Sequence, residues 1–178
     1  MTTTVAIRRA TASDARSIAR VHVETWRAAY AGILPDRVMV GLRVDDKAAY
    51  WRHLLARLGR RETALVASAP SIGIVGFASG GPSDGGAMPY EAEVHTLYVL
   101  PDWQERGIGR ALLFNCLGSL HARGMKSAFL WVLAQNPSRF FYEAMGGRHV
   151  GEREEALWGA VVQETAYAWT DLAPFARR

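Results

Sequence analysis

The residues whose types and spacing best suit chemistry form a glycine loop at 104–109, with the sequence Gln-Glu-Arg-Gly-Ile-Gly. An apolar run rich in branched and aromatic residues, 94–100, precedes the loop, and Pro101 ends that run. A helical pattern of apolar residues begins at Ala111. A helix start offers unpaired backbone N–H groups and the positive end of the helix dipole, and glycines let a bulky anion approach them. The segment therefore predicts a phosphate-binding loop.

Two common phosphate-binding loops have spacings that this loop does not match. A P-loop continues from its glycines into Lys-Ser or Lys-Thr, whereas Gly109 is followed by Arg110 and Ala111. A dinucleotide fingerprint needs Gly or Ala where Leu112 stands, and no second half suited to a dinucleotide follows. A dinucleotide-dependent enzyme is therefore a disfavoured alternative, which a cofactor-binding screen would test.

The pattern Gln-x-x-Gly-x-Gly after a Leu-Tyr-Val strand resembles the GNAT superfamily of N-acetyltransferases. In that family the loop holds the pyrophosphate of acetyl-coenzyme A, so the resemblance implies this molecule as the acetyl donor. A second motif at 136–147 matches the family's Asn-x-Ala followed by an aromatic-Tyr pair and a glycine. Ser138 stands here for the family's alanine, and Gly147 stands for a common phenylalanine. The resemblance extends from about residue 5 to residue 172, with its specific motifs within 93–147.

The resemblance implies a set of cofactor-binding residues. In the family, a splayed central strand leaves backbone N–H groups near the thioester carbonyl, an asparagine bonds the pantetheine arm, and a tyrosine lies near the sulfur. The matching residues here are Leu97, Tyr98, Val99, Gln104, Glu105, Arg106, Gly107, Ile108, Gly109, Arg110, Asn136, Ser138 and Tyr142.

Tyr142 is predicted to be the general acid. Acyl transfer from a thioester to an amine needs a neutral amine, a stabilised oxyanion and a proton for the leaving thiolate. Tyrosine titrates near ~10 and a thiol near ~8.5, so Tyr142 can give its proton to the thiolate. Backbone N–H groups at 97–99 would polarise the thioester carbonyl.

Glu93 is predicted to be the general base that deprotonates the amine. It lies eleven positions before Gln104, as does the base glutamate in the histone-acetylating branch of the family. On a regular strand Glu91, Glu93 and His95 share one face, so Glu91 or a chain of water molecules is an alternative base. A bulge in the strand would break this alternation.

An acceptor pocket is predicted beside the first helix, because the family's first helices cover that site. Trp26 and Tyr30, together with Glu91, are predicted to contact the acceptor. His22 is predicted to be a satisfied core residue on an apolar stripe, and Cys116 a core residue of the long helix. The His and Cys residues lack metal-ligand spacing, so no metal is predicted.

To position these residues, the chain is predicted to form an α/β fold: a central mixed sheet flanked by helices, in the element order of the GNAT fold. The strand between 127 and 133 is predicted to run parallel to the central strand through a βαβ crossover. The predicted strands lie near 5–7 and at 63–68, 72–79, 94–100, 127–133, 148–157 and 161–169, with a loop at 80–89. The predicted helices lie around 18–29 and at 35–39, 45–58 and 137–145, and a long helix follows Gly109, with Gly124 as its predicted C-cap.

The composition favours one soluble domain over residues 1–178, with 49% hydrophobic and 21% charged residues. One cysteine fits a reducing compartment, and no apolar run has the length of a signal peptide or a membrane span, so we expect a cytoplasmic protein with no membrane partner. The net charge of +4 comes from scattered arginines rather than a basic stripe with stacking aromatics, which argues against a nucleic-acid partner.

These features together predict an N-acetyltransferase that uses acetyl-coenzyme A and works by direct attack of an amine on the thioester. The alternative is a non-catalytic acyl-coenzyme A sensor on the same fold. Tyr142 and Glu93 argue against the sensor, and a turnover assay would separate the two. The acceptor stays open among small amines, amino acids, antibiotics, peptide N-termini and lysine. A homodimer is compatible with the sequence.

Overall fold

A mixed β-sheet, formed by the branched and aromatic runs of the sequence, organises the computed structural model, which describes residues 4–86, 88–157 and 159–176. In these residues seven strands have the order β1-β2-β3-β4-β5-β7-β6. The strands are β1 (Ala6–Arg9), β2 (Thr63–Ala69), β3 (Gly73–Pro82), β4 (Ala92–Val99), β5 (Ala128–Leu133), β6 (Arg148–Leu157) and β7 (Ala160–Trp169). Only β4 and β5 pair in parallel among these strands, which confirms the predicted βαβ crossover.

Helices cover both faces of the sheet. They are α1 (Ala15–Ala29), α2 (Asp36–Gly41), α3 (Val44–Ala56), α4 (Ile108–Ala122) and α5 (Ser138–Ala144). On β3, a Cβ atom at Gly76 would lie 3.1 Å from a methyl group of Leu112, so this face carries α4. The next residue, Phe77, faces the opposite side and packs against His22 of α1 and Trp51 of α3. The predicted mixed sheet flanked by helices is confirmed.

The main core fills the space between the sheet and these helices. Its largest fully buried side chains are Ile18, Trp51, Phe77, Leu112, Leu113, Leu117, Leu120, Met125 and Leu172. A second, smaller cluster lies under α1, α2 and β7 and consists of Val23, Trp26, Tyr30, Leu34, Leu42, Leu133 and Val162. The second cluster supports one end of the cavity described below.

Several element boundaries differ from the prediction, most of them by one or two residues. Strand β3 continues through Pro82, whereas a loop was predicted from residue 80. Gly80 belongs to the strand because a Cβ atom there would lie only 2.8 Å from the carbonyl oxygen of Glu93, so glycine permits the close approach of β3 and β4. Helix α3 begins at Val44 and ends two residues before the predicted position 58. Ala87, inside the predicted loop, lies outside the described residues.

The two central strands separate soon after they pair. The ladder between β4 and β5 contains Ala92 opposite Ala128 and Glu93 opposite Phe129, and it stops there. Beyond this point β4 remains paired with β3, and β5 remains paired with β7. The sheet therefore contains a wedge-shaped opening between the carboxyl-terminal parts of β4 and β5. Within the described residues, no helix combines the length and the apolar character needed to cross a membrane.

Candidate functional site

A cavity of about 820 Å³ occupies the wedge between β4 and β5. Its side walls are residues 94–99 of β4 and 130–133 of β5. The loop before α4 closes one end, which we call the loop end, and α1 with the β6–β7 pair closes the other, which we call the acceptor end. The residues that line the acceptor end are Thr25, Trp26, Ala29, Tyr30, Leu34, Glu93, Trp131, Arg153, Leu157 and Glu164.

Free backbone N–H groups converge at the loop end. The first backbone hydrogen bond of α4 runs from the Ala111 N–H to the Gly107 carbonyl at 3.0 Å. The N–H groups of residues 108–110 precede this bond and therefore have no acceptor within the helix. Gly107 lines the cavity with φ 77°, and a Cβ atom there would meet no heavy atom within 4 Å, so the space beside Gly107 is open. The geometry fits a phosphate-sized anion.

Other residues of the loop fix the position of the phosphate-binding loop. The Gln104 side chain donates from Nε2 to the Val99 carbonyl at 3.0 Å, which ties the loop to the end of β4. Arg110 lines the cavity, and its guanidinium lies 5.2 Å from the ring centre of Phe114. Glu105 also lines the cavity and has a left-handed backbone with φ 59°. Gln104 is therefore a positioning residue for the loop.

Two of the predicted cofactor residues, Arg106 and Ile108, do not have side chains in the cavity lining. The Arg106 guanidinium lies over the ring of Trp103 at 4.8 Å and does not line the cavity. The Ile108 side chain is 5% exposed and packs into the main core, because it opens the apolar stripe of α4. At the helix start, Ile108 can therefore contact a ligand only through its backbone N–H.

Two N–H groups of β4 face the wedge. The Leu100 N–H donates to the Val75 carbonyl of the preceding strand at 2.9 Å. Backbone N–H groups alternate between the two edges of a strand, so the Tyr98 N–H faces β3 as well. The N–H groups of Leu97 and Val99 face the opening, where β5 no longer pairs with β4. Of the three predicted backbone donors, Leu97 and Val99 have the required direction, and Tyr98 contributes its side chain to the cavity wall.

Tyr142 lies in the cavity wall and is 8% exposed. Helix α5 carries it, and the helix start is held by Asn136, whose Oδ1 accepts a hydrogen bond from the Ser138 N–H at 2.9 Å. Burial raises the pKa of the Tyr142 hydroxyl above its usual range, and the neighbouring Tyr30 raises it further. Tyr142 therefore keeps its proton at neutral pH.

The structure explains why the second motif ends with a glycine, Gly147. The Gly147 N–H donates to the Tyr142 carbonyl at 2.9 Å. A Cβ atom at Gly147 would lie 2.9 Å from that same oxygen and 3.1 Å from the ring of Trp169. A side chain at residue 147 would thus displace the end of α5, and with it Tyr142.

A second tyrosine shares the cavity with Tyr142. The Tyr30 hydroxyl makes hydrogen-bonding contacts with the side chains of Tyr98 and Asn136, and burial raises its pKa. The rings of Trp26 and Tyr30 meet edge to face with centres 5.0 Å apart. The predicted acceptor residues Trp26 and Tyr30 and the predicted cofactor residue Asn136 thus lie along one continuous cavity wall.

Glu93 lines the cavity and is half-buried. Burial is the largest influence on its carboxyl group and raises the pKa above the usual range. The Arg153 guanidinium opposes this shift, and the carboxylates of Asp84 and Glu164 add to it. A carboxyl with a raised pKa is better matched to accepting a proton near neutral pH than an exposed one.

The predicted placement of Glu91 beside Glu93 is wrong. Glu91 is exposed and does not line the cavity, because its Oε2 accepts a hydrogen bond from the Lys126 N–H at 2.9 Å. The regular alternation also fails further along β4. Thr96 pairs with Ser79 and Val94 with Gly80, which leaves His95 as the extra residue of a bulge.

Sequence reasoning missed the side chains that β5, β6 and β7 contribute. Arg153 and Glu164 form an ion pair across β6 and β7 with a nitrogen–oxygen distance of 2.7 Å, and the guanidinium lies 4.2 Å from the ring centre of Trp131. Thr25 of α1 also lines the cavity. Glu164 offered one signal: it is a carboxylate in a strand whose following residues, 165–169, are all buried.

His22 and Cys116 are buried, as predicted, but His22 is not fully satisfied, because its Nε2 atom has no hydrogen-bond partner among the described residues. The Nδ1 atom of His22 accepts a hydrogen bond from Trp51 Nε1 at 3.1 Å, and burial together with Lys47 lowers the pKa of the imidazole to about 3. Burial raises the pKa of the Cys116 thiol to about 12. In the described part of the chain, no group of three or more His, Cys, Asp or Glu residues could hold a metal ion.

Comparison with protein families gives a match to the Acetyltransferase (GNAT) family over residues 23–147. This span is more than half of the chain and runs from the middle of α1 to the end of the second motif. It therefore includes the wedge, the loop end and the helix that carries Tyr142.

Among curated proteins, the chain is similar to the uncharacterized N-acetyltransferase YuaI of Bacillus subtilis (strain 168), with 32% identity over 169 residues and 95% of each chain covered. It is also similar to the [ribosomal protein bS18]-alanine N-acetyltransferase of Escherichia coli (strain K12). That match has 39% identity over 57 residues, which are 32% of this chain and 38% of that protein.

Two solved structures have the same fold at lower identity. The PaiA N-acetyltransferase of Thermoplasma acidophilum, in complex with coenzyme A, has 21% identity and a TM-score of 0.66, with 91% of this chain and 98% of that one covered. The protein YncA of Salmonella typhimurium, with acetyl-CoA, has 22% identity and a TM-score of 0.69, with 95% and 94% covered.

Proposed function

The chain belongs to the acetyltransferase (GNAT) family, whose members are acyltransferases, and we propose that it transfers an acetyl group from acetyl-coenzyme A to an amine. The observation that carries the proposal is the wedge between β4 and β5. One cavity joins an anion-binding helix start to a buried tyrosine and a half-buried glutamate. The coenzyme A and acetyl-CoA in the two similar solved structures support this choice of donor.

The loop end has the chemistry to hold the donor's pyrophosphate. The N–H groups of residues 108–110 and the positive end of α4 favour an anion, and Gly107 leaves room for it. Arg110 adds a positive charge in the cavity wall. Asn136 stands between the loop end and the acceptor end, where the pantetheine arm would pass. When bound, the donor supplies the thioester carbon that the amine attacks.

The opening between β4 and β5 would provide the oxyanion site. The Leu97 and Val99 N–H groups face the wedge, and no strand competes for them there. Donors that are fixed before the reaction stabilise the developing charge without reorganisation, which typically contributes about 10²–10³-fold to kcat for each donor. Leu97 and Val99 act through their backbone, so side-chain identity at these positions matters less than strand geometry.

Glu93 and Tyr142 would handle the two protons. Glu93 removes a proton from the acceptor ammonium, directly or through water, and the neutral nitrogen forms a bond to the thioester carbon. As the carbon–sulfur bond breaks, Tyr142 gives its hydroxyl proton to the sulfur, and the nitrogen loses its second proton to solvent, which leaves the neutral amide and the free thiol. The tyrosinate regains a proton from solvent, and Glu93 releases its own. The raised pKa of Glu93 and the protonated state of Tyr142 fit these opposite roles.

The direct test combines binding and turnover. Isothermal calorimetry measures whether the protein binds coenzyme A, and thiol release from acetyl-coenzyme A is followed with a panel of amines. We expect both binding and amine-dependent thiol release. Binding without release for any amine would favour the acyl-coenzyme A sensor, and the absence of binding would contradict both functions.

A further inference from the structure

The acceptor end of the cavity carries more negative than positive charge. Its lining contains the carboxylates of Glu93 and Glu164 and the guanidinium of Arg153. Glu155 lies just behind them, with its Oε2 atom 3.6 Å from Arg153 Nε. Three carboxylates thus surround Arg153, and one further cation lies nearby: the Nζ atom of Lys47 is 5.6 Å from the centre of the Trp26 ring. This local excess opposes the net charge of the chain, which is +4.

Arg153 is held by protein partners through its Nε and Nη2 atoms. Both Nε and Nη2 contact Glu164 Oε2 at 2.7 Å, and the plane of the guanidinium rests on Trp131 at 4.2 Å. Glu164 itself is 9% exposed, so the pair is poorly screened by water. Because Glu164 and Glu155 already lie against Arg153, its charge is largely neutralised before an acceptor enters, which weakens its attraction for an anionic group. Among the described residues Glu93 makes no ion pair, and the Arg153 guanidinium acts on it only at longer range.

A buried hydroxyl in the same cavity has no protein partner. Thr25 of α1 lines the cavity and is 5% exposed, and its Oγ1 atom makes no hydrogen bond to the described residues. A buried hydroxyl without a partner costs free energy, so a ligand that bonds it would be favoured. Beside it, the rings of Trp26 and Tyr30 offer apolar and π surface suited to the body of an amine.

We infer that the acceptor is a cationic amine that carries no carboxylate or phosphate in the part that enters the cavity. This inference rests on the proposed function and narrows its substrate class. The ammonium group lies between Glu93 and Glu164 before it is deprotonated, and the rest of the molecule packs along Trp26 and Tyr30. An α-amino acid would bring its own carboxylate against these same glutamates, which costs Coulomb energy in a poorly hydrated cavity.

Three acceptors of equal length test the inference on the parent protein. They are 1,5-diaminopentane, 5-aminopentanamide and 5-aminopentanoate, whose reacting amines are alike and whose far ends are positive, neutral and negative. With acetyl-coenzyme A saturating, we expect kcat/KM to fall in that order. We expect at least about a tenfold difference between the first and the last, the size of a single close charge interaction near a protein surface.

A matched pair of variants locates the source of the selectivity. Glu164→Gln leaves Arg153 without its main partner, so the preference for the positive acceptor over the negative one should shrink about tenfold or more. Glu154→Gln is the control, because Glu154 lies on the neighbouring strand β6, accepts a hydrogen bond from Gln163 at 2.7 Å and is not in the cavity lining. Its acceptor preference should equal that of the parent.

The outcomes are distinguishable. Equal kcat/KM for the three acceptors, or a preference for 5-aminopentanoate, would overturn the charge inference. The proposed acetyl transfer to an amine would not be affected by that result. Coenzyme A binding without transfer to any of the three would also overturn the charge inference, with cofactor binding intact. The absence of cofactor binding would overturn the proposed function. If Glu164→Gln does not fold, the order measured on the parent still decides the inference.

Discussion

The two ends of the cavity are built in different ways. The loop end consists mainly of backbone groups from one contiguous segment, in which β4, the glycine loop and the first turn of α4 follow each other directly. The acceptor end consists mainly of side chains from α1, β4, β5, β6 and β7, which are far apart in the sequence. The loop end therefore offers the same donors to every ligand with a pyrophosphate, whereas the acceptor end can change with single side chains.

This difference predicts how substitutions behave. A change at the loop end should weaken transfer to every amine equally, since it acts on the donor that all reactions share. A change at the acceptor end should depend on which amine is used and on the pH. Tyr142 connects the two ends: helix α5, which carries it, begins at the Asn136–Ser138 hydrogen bond, and its hydroxyl is close enough to Tyr30 for that residue to raise its pKa.

The largest effect should come from the junction. Tyr142→Phe keeps the ring that packs against Phe141 but removes the proton for the leaving sulfur. We expect kcat to fall by about 10²–10⁴-fold for every amine, with little change in the affinity for acetyl-coenzyme A. Single-turnover kinetics measure the chemical step directly.

Tyr167→Phe is the matched control for that experiment. The Tyr167 ring lies 6.2 Å from Tyr142, but its hydroxyl donates to Glu143 at 2.8 Å, and the residue does not line the cavity. The single-turnover rate of Tyr167→Phe should be close to that of the parent. An unchanged single-turnover rate in Tyr142→Phe would mean that another group, for which Tyr30 is the candidate, protonates the sulfur.

The next largest effect should come from the loop end. Gly107→Val places a branched side chain on a left-handed backbone and into the open space beside the loop end. We expect coenzyme A binding to weaken by about 100-fold, because strain and a lost anion contact together amount to about 2–3 kcal/mol. Calorimetry with coenzyme A measures this loss.

Gly124→Val carries the same backbone strain at the other end of α4. Gly124 has φ 89° and open space around its Cβ position, but it is not in the cavity lining. It should lose thermal stability to a similar degree and keep its affinity for coenzyme A. Equal affinities in the two valine variants would remove the loop from cofactor binding.

At the acceptor end, Glu93→Gln should have a smaller and conditional effect. We expect kcat/KM to fall by about 10–100-fold at neutral pH, at the lower end of general base catalysis. The loss should shrink at higher pH and for amines of low pKa, because more of the amine is then already neutral. Glu91→Gln, whose carboxylate bonds the Lys126 backbone instead, should resemble the parent. Parallel pH–rate profiles for Glu93→Gln and the parent would exclude Glu93 as the base.

The smallest predicted effect is on stability. Burial raises the pKa of Glu93 in the folded state, so the fold favours its protonated form. That stabilisation is fully present below the unfolded pKa of about 4.3 and is lost as pH rises through the folded value, which leaves a buried charge at neutral pH. Glu93→Gln should therefore melt slightly higher than the parent at pH 7–8, with the difference vanishing towards pH 4. A lower melting temperature at pH 8 would contradict this account.

By itself the sequence determined the fold class and the loop end. A strand, a proline, a glycine loop and a helix start are set by the local preferences of neighbouring residues, so their backbone groups converge wherever the segment lies. The order of strands and helices followed from the same local patterns. The second motif is also a local pattern, and it predicted that Tyr142 lies on the short helix that the structure shows as α5.

Only the tertiary structure decided the acceptor end. The side chains of Glu93, Arg153 and Glu164 meet because β5 pairs with β7, β7 with β6, and β4 separates from β5 after two residue pairs. The bulge at His95 and the hydrogen bond that turns Glu91 towards Lys126 likewise depend on partners far along the chain. A pairing register is fixed by the summed packing of whole faces, and a one-residue shift moves every side chain to the opposite face, so no short motif records it.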